Sequence, residues 1–206
     1  MAADTSRPSL REAQREVTEQ RIVEALAALI GQEHPLEISM AAVAKQAGVS
    51  EPTLYRHFPT KRDLFAALAS RQFRTVTAGL APASPDDLAR AVHTVFRRSA
   101  ETESTVRWTL AAPDPERVPR PHAQARLGML RTALRGALED LDDDTAQFLL
   151  RTVLLLTSPM AWLYWKDYLG LDPQAAADTA GWAITTLTDA AHPAQSTAAT
   201  QPPRRG

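Results

Sequence analysis

Residues 48–61 read Gly48-Val49-Ser50-Glu51-Pro52-Thr53-Leu54-Tyr55-Arg56-His57-Phe58-Pro59-Thr60-Lys61. Gly48 suits the left-handed residue that closes a preceding helix. Ser50 is a capping residue, and Pro52 falls in the first turn of the helix it opens, where a missing N–H costs little. Because Pro52 has no donor, the Ser50 hydroxyl is expected to reach the N–H of Thr53. Leu54 and Phe58 form a buried i, i+4 pair, which leaves Thr53, Tyr55, Arg56 and His57 displayed. Hydrogen-bonding side chains on a short, capped helix suit phosphates and base edges.

Working outward, Ser39 caps a helix whose Val43, Ala44 and Ala47 face inward, and Thr60 caps another with Leu64, Phe65, Leu68, Phe73 and Val76 on its packed side. Upstream, residues 14–31 carry Ile22, Ala25, Leu26, Leu29 and Ile30 at the spacing of a core-facing stripe, ended by Gly31 and Pro35. A helix, a short helix, a glycine turn and a second short helix make a helix-turn-helix plan.

Residues 14–75 closely resemble the DNA-binding domain of the TetR family of bacterial transcriptional regulators. The resemblance rests on Ser39, Val43-Ala44, Ala47-Gly48-Val49-Ser50, Thr53 through Phe58, Lys61 and Leu64-Phe65. Beyond that segment, 80–190 resemble the family only in length and helical plan. The resemblance implies that Ser39 and Ser50 cap their helices, with Ser39 also touching a phosphate. It implies that Thr53 and Tyr55 lie in the major groove, that Arg56 and His57 hold the flanking backbone, and that Lys61 meets a further phosphate. Many members carry a small or basic residue and glycine where this chain has Glu51-Pro52, so base preference is the least transferable property.

The whole chain has 206 residues, 44% of them hydrophobic, enough to build a core. A net charge of −1 opposes an architectural DNA binder with a basic coat, although charge is segregated locally. From Lys45 to Arg74 six cations face two carboxylates, leaving +4. Without cysteine there is no disulfide, thiolate metal site or cysteine nucleophile, which suits a reducing cytoplasm. The N-terminus has no apolar run of the kind a secretory signal needs.

Strand signals are nearly absent, and the expected fold is all-α in two domains: 1–80, with residues 1–10 a disordered tail, and 81–192, followed by a second tail, 193–206. Amphipathic helices are expected over 86–101 (Leu88, Val92, Val95, Phe96), near 104–112, over 122–140, from Asp144 to Tyr168 and from Asp172 to Ala191. Between them, 113–121 hold four prolines and cannot be regular helix. The apolar run Thr152–Trp165 is shorter than the ~20 residues of a membrane span, and is expected to be a helix buried on two sides.

Phe96, Trp108, Met129, Met160 and Trp162 come from different helices and are expected to meet around a small-molecule cavity. Ala176, Ala180, Ala183 and Leu187, with Leu155, are expected in a four-helix interface with a second copy. The acidic run Glu139–Asp144 lacks the glycine and glutamate of a calcium loop and reads as a solvated turn. No catalytic constellation, metal site or cofactor motif stands out, so neither catalytic residues nor a cofactor are expected. The expected protein is a cytoplasmic homodimer that binds a double-stranded operator and responds to a small effector, most often as a repressor in this family. The alternative is a helical-domain enzyme with an ancillary helix-turn-helix.

Overall fold

Helix-favouring stripes separated by caps and prolines give eleven α-helices, and no strand, among the residues that the computed structural model describes: 9–30, 38–111 and 120–191. They are α1 (Leu10–Ile30), α2 (Met40–Ala47), α3 (Glu51–His57), α4 (Lys61–Thr77), α5 (Pro85–Glu101), α6 (Glu103–Ala111), α7 (Arg120–Ala133), α8 (Arg135–Glu139), α9 (Asp143–Leu156), α10 (Pro159–Leu169) and α11 (Pro173–Ala190). The chain divides into two units: Met1–Phe73 with Ser104–Pro119, and Arg74–Glu103 with Arg120–Gly206.

Unit 1 is built on the stripe of α1. Ile22, Leu26, Leu29 and Ile30 pack with Ile38, Val43, Ala44, Ala47, Leu54, Phe58, Leu64, Phe65 and Leu68. Ile22, Leu26, Leu54 and Leu64 are fully buried, and burial of each such side chain stabilises by about 1.5–3 kcal/mol. The first turn of α1 opens with a reciprocal cap. The Ser9 N–H donates to Glu12 Oε2 at 2.7 Å and the Glu12 N–H to Ser9 Oγ at 3.3 Å. That cap starts the helix at Leu10, four residues before the start expected from the apolar stripe. The expected stops, Gly31 and Pro35, and the expected tails, 1–10 and 193–206, lie outside the described residues, except that Ser9 and Leu10 of the first tail form the cap and start of α1.

Trp108 departs from its expected place. It lies on α6, and its ring meets Phe65 edge-on, 4.4 Å between centroids and 77° between planes. At 5% exposure it belongs to the core of unit 1 and not to a cavity among the later helices. Unit 2 pairs α5 with α11 along most of their length. Leu88, Val92, Phe96 and Ser99 of α5 are buried, as are Ala176, Ala177, Ala180, Gly181 and Ile184 of α11. A Cβ added at Gly181 would stand 3.5 Å from Ala89 Cβ, a measure of how closely the two helices run.

The single helix expected over 144–168 is two, α9 and α10, meeting at 59°. Ser158 Oγ accepts from the Ala161 N–H at 3.3 Å and Pro159 opens α10, the same Ser-then-Pro start used at Ser84-Pro85. The expected helix 122–140 is likewise divided, into α7 and α8. Among the described residues no single helix is long and apolar enough to cross a membrane.

Candidate nucleic-acid interface

Two caps and one left-handed glycine set the geometry of the helix-turn-helix. Ser39 Oγ accepts from the Ala42 N–H at 3.1 Å. Gly48, at φ 64° and ψ 37°, closes α2 with its N–H on the carbonyls of Ala44 and Lys45, a conformation that costs a side-chain-bearing residue about 1–2 kcal/mol. A Cβ at this position would also press on Arg21 Nη2, 3.3 Å away. Arg21 donates to the Ala47 carbonyl at 2.8 Å, so a cation from α1 satisfies the C-terminal end of α2. Ser50 Oγ then accepts from the Thr53 N–H at 3.3 Å, as the proline at 52 requires, and lies 2.9 Å from Thr53 Oγ1.

With Leu54 and Phe58 anchored in the core, α3 presents its other face to solvent. Tyr55 is 45% exposed and Arg56 is exposed. Ser39 and Ser50 are exposed, and Thr53 is half-buried. Thr60 and Asp63 cap α4 reciprocally: the Thr60 N–H donates to Asp63 Oδ2 at 3.0 Å, and the Asp63 N–H to Thr60 Oγ1 at 3.1 Å. Lys61 follows, half-buried, its ammonium 5.3 Å from the centroid of the Phe65 ring. The hydroxyls and the two cations thus gather on consecutive short elements carried by one rigid core.

His57 is the exception among the expected DNA contacts. Its side chain is only 8% exposed, and Nδ1 lies 3.2 Å from Glu19 Oε1 on α1. The residue is turned inward to tie α3 to α1, because its position beside Phe58 puts it over the edge of the core. Glu19 also accepts from Arg15 Nε at 2.8 Å. Neither Glu19 nor Arg21 was singled out in the sequence; both sit on the polar flank of α1, where nothing local marks a residue that braces a distant helix.

Burial works against ionisation of Glu19, but hydrogen bonds from Arg15 and His57 outweigh it and hold the carboxyl below the usual glutamate range. A depressed folded pKa means that this contribution to stability is complete above the unfolded value and is lost as the pH falls through the folded one. Urea midpoints at about pH 5 and about pH 3 should therefore differ less in Glu19→Gln than in the parent. An unchanged difference would remove Glu19 from the acid response.

The other expected site residues scatter. Phe96 and Trp162 are fully buried in unit 2, Met129 is half-buried on α7, and Met160 is 50% exposed. Trp108 belongs to unit 1 and the other four to unit 2. Ala176 and Ala180, expected at a subunit interface, are fully buried within the chain, because their small side chains let α11 approach α5. Ala183 is half-buried, and Leu155 and Leu187 are exposed.

Residues 22–68 match the family described as "Bacterial regulatory proteins, tetR family". A nucleoid occlusion factor, SlmA, of Marinomonas sp. (strain MWYL1) is 48% identical over 48 residues, 23% of this chain and 24% of that protein. The chain thus aligns with about a quarter of that relative's length. Of solved structures, a tetR-family transcriptional regulator from Streptomyces coelicolor superposes with a TM-score of 0.68 at 17% identity, covering 86% of this chain and 82% of that one. A multidrug binding protein, EbrR, complexed with imidazole, gives a TM-score of 0.57 at 22% identity, covering 82% and 93%. At these identities the structural likeness concerns the fold. Residues 22–68 thus carry the helix-turn-helix segment of the tetR family of bacterial regulatory proteins, and the helical fold is one that solved tetR-family regulators share.

Proposed function

We propose that this chain is a DNA-binding transcriptional regulator: a homodimeric repressor of a pseudo-palindromic operator, released when a small apolar or amphipathic molecule binds unit 2. The observation that carries the reading is the face of α3, where Thr53, Tyr55 and Arg56 are displayed over a core that Leu54 and Phe58 complete. Tyr55 and Thr53 read base edges in the major groove, and Arg56, Lys61 and Ser39 hold the flanking phosphates. Residues 1–80 supply the reading head, and 81–192 supply dimerisation and sensing, apart from Trp108. The match named for nucleoid occlusion spans 48 residues, 24% of that relative, so it leaves the role of unit 2 to its own chemistry.

Dimerisation is supported by large apolar side chains left in water on α9 and α11: Phe148 62%, Leu155 56%, Trp182 71% and Leu187 37% exposed. Light scattering at micromolar concentration is expected to give twice the 22.5 kDa chain mass, and Leu155→Lys to shift the population to monomer. A parent protein that is monomeric at that concentration contradicts the dimer. Selection from random duplexes tests the whole reading. The expected product is a two-fold symmetric site whose half-sites lie about 34 Å apart, or a multiple of it, and enrichment of no sequence would overturn the proposal.

A further inference from the structure

Of the acidic and basic side chains of α3, Arg56 is turned to solvent as a phosphate contact and His57 is drawn to Glu19. Glu51 is left over. It is exposed in the first turn, and no ion pair or hydrogen bond ties its carboxylate to another described residue. That holds within a stretch, Lys45 to Arg74, whose excess charge is +4. The helix dipole mildly favours an acidic residue at this end, but a carboxylate on the face turned to DNA is repelled by the phosphates around it. It has a place there only opposite a hydrogen-bond donor.

Glu51 stands one helical turn before Tyr55, so the two share a flank of α3, while Leu54 and Phe58 hold the other side in the core. The turn that carries it offers a phosphate little. Pro52 has no N–H, the Thr53 N–H donates to Ser50 Oγ at 3.3 Å, and the Leu54 N–H donates to the Ser50 carbonyl at 3.0 Å. This end of α3 therefore presents an acceptor where a phosphate-binding helix end presents donors. A recognition helix enters the major groove with its N-terminal residues on base edges, which sets Glu51 at the level of the bases.

An ionised carboxylate only accepts hydrogen bonds. In the major groove guanine shows two acceptors, thymine one acceptor and a methyl group, and adenine an acceptor beside its donor. Cytosine alone shows a donor, its 4-amino group, with no acceptor of its own. We propose that Glu51 is a specificity-determining residue of the reading helix: its carboxylate accepts from the 4-amino group of a cytosine in each half-site, next to the base that Tyr55 meets, and disfavours every other base there. This deepens the reading of α3 as the reading helix and rests on it.

The test uses the full chain and selection from random duplexes, run in parallel with the parent, Glu51→Gln, Glu51→Ala and Tyr55→Ala. The parent is expected to fix cytosine at one position of each half-site. Glu51→Gln should fix adenine there, because a carboxamide both donates to N7 and accepts from the 6-amino group. Glu51→Ala should leave the position open and bind a scrambled duplex at least as tightly as the parent does. The selected site is then made with 2-pyrimidinone, which is cytosine without its 4-amino group, at that position. The parent should lose about tenfold in affinity per half-site on this duplex, and Glu51→Ala almost nothing. Equal binding of the two duplexes by the parent would overturn the proposal, as would selection of the parent's base by both Glu51 variants. If Tyr55→Ala alone alters the selected sequence, the reading of α3 stands and the Glu51 contact falls. If no variant alters it, the reading of α3 falls and the Glu51 contact with it.

Discussion

Trp108→Ala is expected to destabilise unit 1 by about 3–5 kcal/mol, the cost of emptying a buried tryptophan site. That is a fifth or more of the roughly 5–15 kcal/mol that holds a typical domain together. The indole is 5% exposed and packs edge-on against Phe65 of α4, the helix whose first turn carries Lys61. Loss of the indole therefore removes support from beneath the candidate interface without touching a residue expected to meet DNA. Urea unfolding followed by circular dichroism checks the stability, and operator titration at two temperatures checks the consequence, with binding lost at the higher one. A cost below about 1 kcal/mol would be that of a surface substitution and would take Trp108 out of the core.

Replacing Arg56 and Lys61 together by alanine is expected to remove most of the electrostatic part of DNA binding. If Arg56, Lys61 and Arg62 of two protomers neutralise about six phosphates, log affinity falls against log salt with a slope near −5. Deleting four of those six cations flattens the slope to about −2. The loss should fall on preferred and random duplexes alike, since phosphate contacts carry no sequence information. The net charge of −1 gives no hint of this; the local excess from Lys45 to Arg74 does. A slope unchanged in the double variant would place the phosphates elsewhere on the protein.

What was legible in the sequence is what short-range chemistry determines. Ser50 with Pro52 dictated the bond to the Thr53 N–H, Gly48 dictated the left-handed turn, and Leu54 with Phe58 dictated which face of α3 is left for DNA. The break between α9 and α10 was legible too, since Ser158-Pro159 repeats the cap-and-proline start of α5, but the apolar run across it suggested one continuous helix. The remaining differences are long-range. Trp108 lies 43 positions from Phe65, and a buried aromatic looks the same whichever core it joins. Ala176 and Ala180 show that small residues permit a close helix approach without saying whether the neighbour belongs to the same chain or a second one. His57 carries a side chain suited to phosphate, yet Glu19, 38 positions upstream, draws it inward.

The central claim, that α3 reads base edges, is tested most directly by comparing Tyr55→Ala with the parent on a selected operator and on a scrambled duplex of equal length at one salt concentration. Tyr55 is 45% exposed on a helix held from beneath, so its removal should leave the fold intact, and circular dichroism verifies that. Loss of a base-edge contact worth about 1–3 kcal/mol per half-site predicts at least a tenfold fall in affinity for the operator and almost none for the scrambled duplex. An equal fall on both duplexes would contradict the assignment of α3 as the reading helix.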